Sequence, residues 1–136
     1  MKLAILCVDD EKIVLDSLQQ QLQKHFGPSY AYEIAESVDE AWEVIDELSE
    51  DGYRFIVVIS DWLMPMTKGD KFLIDLHKRF PDTATILLTG QADESAVENA
   101  RKHANLHAYI RKPWRAEELI KIIQAAIDAY NVNGSK

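Results

Sequence analysis

Continuous apolar runs of strand length, separated by segments of helical periodicity, constrain this chain more than any other feature. Leu3 to Val8 (LAILCV) and Phe55 to Ile59 carry no polar residue on either face, as expected of strands covered on both sides in a parallel sheet. Between them, Ile13, Leu15, Leu18, Leu22 and Phe26 recur at helical spacing until Gly27-Pro28 stops the pattern. Tyr30 to Ala35 is short and alternating, which predicts an edge strand. Ser37 with Glu40 forms a capping-box pattern opening a helix to about Ser49, and Asp51-Gly52 is a turn. Phe72, Leu73, Leu76 and Phe80 predict a helix ending before Pro81. Ala84 to Leu88 is a fourth strand, a helix follows from about Asp93 to His103, and residues 107–111 form a fifth strand. Leu119, Ile123, Ala126, Ile127 and Tyr130 mark the last helix. Strands and helices in strict alternation, joined by short loops, make right-handed crossovers and a parallel sheet. The expected fold is α/β, a three-layer sandwich, with one domain over 1–130 and a polar tail over 131–136.

A chain of 136 residues with 47% apolar composition can bury one core. No apolar run approaches the roughly 20 residues that span a bilayer. The opening Met-Lys-Leu-Ala-Ile-Leu stops at Val8 beside two aspartates, too short for a signal peptide. The single cysteine, Cys7, excludes an internal disulfide and suits a reducing, cytoplasmic setting; inside an apolar run it reads as a packing residue. A net charge of −8 argues against direct nucleic-acid binding, which wants a basic face.

The polar residues that follow the strand runs carry the chemistry. Asp9, Asp10 and Glu11 follow the first, Asp61 the third, Thr89 closes the fourth, and Lys112 follows the fifth. In an open parallel sheet the carboxyl ends of the strands lie side by side, so these residues can share one pocket. Acids favour helix N-termini for the dipole alone, which explains Glu11 but not Asp61. Like charges about 5 Å apart at an effective dielectric of about 20 repel by roughly 3 kcal/mol per pair. Lys112 supplies one neutralising charge and a divalent cation could supply two more. With only oxygen ligands in these loops, magnesium, or manganese in its place, fits better than zinc. The set suggests magnesium-dependent phosphoryl transfer.

In combination, VDDE at 8–11, DWLMP at 61–65, LTG at 88–90 and IRKP at 110–113 resemble the receiver domain of two-component response regulators, chemotaxis regulators included, across residues 1 to about 130. The resemblance implies a flavodoxin-like (βα)5 fold with sheet order 2-1-3-4-5. It implies that Asp61 is the phosphoacceptor, charged by a sensor histidine kinase or phosphotransfer protein. Asp10 and Asp61 match direct magnesium ligands, with the Leu63 backbone carbonyl, and Asp9 a water-mediated one. Lys112 matches the lysine that contacts the phosphoryl oxygens, while Thr89 and Tyr109 match the hydroxyl and aromatic of the activation switch. A cis Lys112-Pro113 peptide is implied as well. The chain is then expected to be no enzyme in the ordinary sense, only a phosphoacceptor catalysing its own phosphorylation and dephosphorylation. It would control an output domain or protein partner, with a homodimer through the last two helices and last strand plausible for the family, and no membrane role. The resemblance is compatible with a stand-alone regulator and with a receiver taken from a longer regulator or hybrid kinase.

Several positions depart from the commonest pattern. Leu63, two residues after Asp61, stands where polar residues are frequent in relatives, and together with Gln91, two after Thr89, it is expected to tune attack by water on the acyl phosphate. Lys68 reads as surface variation before a glycine, Gly69, expected to serve a positive-φ turn. Trp114 is as well suited to partner contact as to packing over the last helix, and Ile120 with Ile122 hints at an interaction surface. His25, His77, His103 and His107 show no ligand spacing. A magnesium-dependent phosphohydrolase is the alternative on this fold, but it normally carries an acid/base aspartate where Leu63 stands. An FMN-binding electron carrier wants a glycine- and hydroxyl-rich phosphate loop where this chain puts acids.

Overall fold

In the computed structural model, which describes residues 2–90 and 94–134, strands and helices alternate throughout. The strands are β1 (Lys2–Val8), β2 (Ala31–Ala35), β3 (Tyr53–Asp61), β4 (Ala84–Thr89) and β5 (Ala108–Arg111). The helices are α1 (Lys12–Phe26), α2 (Val38–Glu50), α3 (Gly69–Arg79), α4 (Glu94–His103) and α5 (Ala116–Gly134). All ladders are parallel and the sheet order is β2-β1-β3-β4-β5, as the resemblance implies.

The continuous apolar strands bury both faces, and the pleat sends alternate residues to opposite sides. From β1, Ile5 and Cys7 enter one core with Leu15, Leu18 and Leu22 of α1 and Leu119, Ile123 and Ile127 of α5. Ala4, Leu6 and Val8 enter the other, against Val38, Ala41 and Ile45 of α2, Phe72, Leu73 and Leu76 of α3, and Ala100 of α4. The three layers follow directly. Cys7 is buried, and burial, reinforced by the charge of Asp9, pushes its thiol up to about 12, which fits a packing role.

Local signals agree with the elements they mark. Gly27 closes α1 at φ 71°. Ser37 Oγ accepts the Glu40 N–H at 3.1 Å at the start of α2, while Glu40 Oε2 accepts from Glu36 N–H rather than from Ser37 itself. The Lys112-Pro113 peptide is cis. Trp114 packs on the α1–α5 core and its Nε1 donates to Gln21 Oε1 at 3.0 Å, so the partner-contact reading gives way to packing. Ile120 and Ile122 are half-buried against the same core, which accounts for their off-face positions without an interaction surface. α5 continues to Gly134, so most of the expected tail is helical in backbone. Asp93, where the fourth helix was expected to begin, lies outside the described residues. No helix among the described residues is long and apolar enough to cross a membrane.

Phe72 is fully buried and meets the Trp42 ring edge-on at 5.3 Å. Phe72→Ala should therefore cost about 3–5 kcal/mol in denaturant-induced unfolding. A loss below about 1 kcal/mol would contradict this packing.

Candidate functional site

Sheet register decides which polar residues meet. Val8 is level with Ser60, so Asp9 follows β1 at the height where Asp61 ends β3. Asp61 is level with Leu88, and Thr89, the next residue of β4, is level with Arg111. Lys112 follows one position later, its backbone N–H donating to the Thr89 carbonyl at 2.8 Å. All these residues stand at the carboxyl edge of the sheet.

Their side chains converge there. Carboxylate oxygens of Asp9, Asp10 and Asp61 lie within 4.8 Å of one another. Asp9 is fully buried, Asp61 is 5% exposed, and Asp10 faces solvent. Lys112 Nζ is 2.8 Å from Asp9 Oδ2 and 3.1 Å from Asp61 Oδ1. Asp9 Oδ2 is buried against this ammonium, and a carboxylate oxygen with two lone pairs keeps capacity for a further ligand there. The other Asp9 oxygen accepts the Glu11 N–H at 2.8 Å, fixing the carboxylate at the head of α1.

The charges do not balance. Three carboxylates against one ammonium leave two negative charges when all are ionised; the buried Asp9–Asp61 pair repels by roughly 3 kcal/mol at an effective dielectric of about 20, and exposed Asp10 adds less. Burial, then the charge of Asp9, push the Asp61 carboxyl up to about 6; Asp10 adds to this and Lys112 opposes it. For Lys112, burial alone would lower the ammonium's pKa, but its contacts with Asp9 and Asp61 outweigh that and raise it. An all-oxygen donor set short by two positive charges could hold a hard divalent metal. Among the described residues no other group of acids, histidines and cysteines is so arranged.

The remaining expected residues are placed less tightly. Thr89 is buried and Tyr109 is 43% exposed, and both line a cavity of about 410 Å³ with Val97 and Arg111, beside α4. Leu63 is 62% exposed in the loop after β3. Gln91 lies outside the described residues. His25, His103 and His107 are exposed and His77 is half-buried, in keeping with their lack of ligand spacing.

Gly69 needs a different explanation from the one its turn suggested. Its φ is not positive, whereas that of nearby Met66 is 74°. A Cβ at position 69 would overlap the Asp61 carbonyl oxygen and lie 2.8 Å from its carbon and 3.0 Å from Ser60 Oγ. Glycine is required by close approach of backbones. Sequence reasoning missed both this contact and the pairing of Lys112 with Asp9, because neither follows from local spacing.

A family model described as the response regulator receiver domain matches residues 5–124. The hydrogenase transcriptional regulatory protein HoxA of Cupriavidus necator is 28% identical over 130 residues, which cover 96% of this chain and 25% of that protein. The chain thus spans about a quarter of HoxA's length. Among solved structures, the signal receiver domain of an HD domain-containing protein from Pseudomonas fluorescens Pf-5 superposes with a TM-score of 0.86 at 26% identity, covering 99% of this chain and 93% of that one. A CheY-like response regulator receiver domain protein from Methanospirillum hungatei JF-1 gives 0.84 at 28% identity, covering 98% and 99%.

The raised pKa of Asp61 carries a sign. A carboxyl held above its ordinary 3.8 makes the metal-free fold lose stability as pH rises from about 4 to about 6, and the cost is complete above that window. In chelator, Asp61→Asn should stabilise the protein by an amount on the order of 3 kcal/mol at pH 7.5, shrinking toward nothing near pH 4. A gain independent of pH in denaturant titrations would contradict the electrostatic account. Asp10→Asn should give a smaller gain, because Asp10 is exposed.

Proposed function

We propose, from the premise that the chain belongs to the response regulator receiver family, that Asp61 accepts a phosphoryl group from a phosphohistidine on a sensor kinase or phosphotransfer protein. The observation that carries this reading is the cluster itself: a nearly buried Asp61 carboxylate 3.1 Å from an ammonium, beside two further acids that lack countercharge.

An Asp61 oxygen attacks phosphorus, the P–N bond breaks, and the imidazole leaves with the electron pair and takes a proton from solvent. The product is an acyl phosphate. Later, water attacks phosphorus, the P–O bond to Asp61 breaks, and inorganic phosphate departs from the restored carboxylate. Lys112, 3.1 Å from Asp61 Oδ1, would hold the phosphoryl oxygens and offset their charge. Asp10, Asp61 and the Leu63 carbonyl would bind magnesium directly, and Asp9 through water. Magnesium bound there would neutralise charge on the transferring group. Nothing stands at position 63 to act as the acid/base carboxylate of a phosphohydrolase.

Thr89 would donate its hydroxyl to the new phosphoryl oxygens and move toward them. The cavity it shares with Tyr109 offers room for the exposed ring to rotate inward, altering β5 and the face of α4. Phosphorylation would then bias an equilibrium between two conformations and so govern an output domain, a separate partner, or a homodimer through α4, α5 and β5. Exposed Leu63, with Gln91, would limit access of water to the acyl phosphate.

Incubation with acetyl phosphate and magnesium should give one phosphoryl adduct by intact mass, absent with chelator and absent in Asp61→Asn. An adduct that survives Asp61→Asn would refute the assignment. Leu63→Asn should shorten the lifetime of that adduct on the order of tenfold, the effect of roughly 1.4 kcal/mol in barrier. An unchanged lifetime removes Leu63 from the control of hydrolysis.

A further inference from the structure

The main chain of the phosphoacceptor is held more tightly than a strand end requires. The Asp61 carbonyl oxygen accepts the Ser60 hydroxyl at 3.1 Å and lies against the Cα of Gly69, with no space for a methyl group between them. One residue on, the Trp62 carbonyl accepts the Gly69 N–H at 2.8 Å, and the Trp62 N–H donates to the Leu88 carbonyl at 2.8 Å. Ser60 is fully buried and Gly69 is buried as the first residue of α3. The Asp61–Trp62 backbone is therefore clamped between the β4 ladder and the start of α3.

We infer that Gly69 and Ser60 are positioning residues for the Asp61 carboxylate, setting its place relative to Lys112, Asp9 and Asp10 through contact with the Asp61 backbone. Neither side chain touches the reacting atoms. The inference rests on the reading of Asp61 as phosphoacceptor, and it goes beyond it by assigning its placement to α3. A methyl group at position 69 forces β3 and α3 apart by about 1 Å, a displacement at which positioning losses reach about 100-fold. A rigid backbone clamp also suits a carboxylate crowded by two others within 4.8 Å, since a freely hinged strand end would let Asp61 retreat toward solvent.

The test compares the parent with Gly69→Ala, Ser60→Ala and Leu22→Ala. Leu22 is buried on α1 about three turns from the pocket, so its truncation destabilises the core without touching the site. For each protein, folding is followed by thermal denaturation, magnesium affinity by titration calorimetry well below the transition, and phosphorylation rate by intact mass with acetyl phosphate. Gly69→Ala should weaken magnesium binding and slow phosphorylation at least about tenfold, with losses up to the 100-fold scale. Leu22→Ala should keep the parent values while folded. If Gly69→Ala behaves as Leu22→Ala does, Gly69 is merely structural and the inference is overturned. If Gly69→Ala does not fold, Ser60→Ala decides: its magnesium affinity should fall about fivefold, the scale of one net hydrogen bond, and a parent-like value overturns the inference. A parent that binds magnesium but forms no adduct overturns the phosphoacceptor reading, while the affinity comparison still judges the clamp. A parent that does neither overturns both.

Discussion

Repulsion among the three acids at the carboxyl edge of the sheet is the constraint around which the rest of this molecule is arranged. A fully buried Asp9 and a nearly buried Asp61 cannot be sustained in an apolar frame without compensation. Lys112 provides part of it, from the end of β5, and can do so only because the sheet brings β1, β3 and β5 to a common edge. The cores on both faces hold those strands in register, so the stability of the apolar layers is what keeps like charges together. The remaining imbalance is a built-in affinity for positive charge and for chemistry that uses it.

The same imbalance bears on the proposed switch. A phosphoryl group on Asp61 would add charge where charge is already in excess, and the surroundings must respond. Thr89 and Tyr109 face a cavity that can accept such a response, and α4 forms its far wall. The Gly69 contact ties Asp61 to the head of α3, and Asp70 there accepts from the Asn99 side-chain amide of α4 at 3.0 Å, so α3 and α4 lie side by side at this edge.

Most of the architecture was legible in the sequence because its signals are periodic and strong. The unbroken apolar runs of β1 and β3 declare strands buried on both faces, and Gly27, Ser37 and Asp51-Gly52 punctuate the elements between them. The membership of the pocket was legible as well, since each acid follows a strand and the topology is nearly forced once strands and helices alternate. What local pattern cannot reveal is who faces whom at the ångström scale. Lys112 was expected to offset the charge of the acids as a group, but that Asp9 is its nearest partner could not be read from spacing. Gly69 looked like a turn residue because glycine usually marks one, whereas the requirement comes from a backbone eight residues earlier. Trp114, Ile120 and Ile122 were ambiguous for the same reason: exposure depends on neighbours from other elements, and here α1 and α5 cover them.

Anomalous diffraction from crystals soaked in manganese chloride would test the central claim most directly. One peak is expected, among the carboxylates of Asp9, Asp10 and Asp61 with the Lys112 ammonium alongside. Density elsewhere with that site empty, or no ordered manganese at millimolar concentration, would contradict the view that this acidic cluster exists to hold a cation.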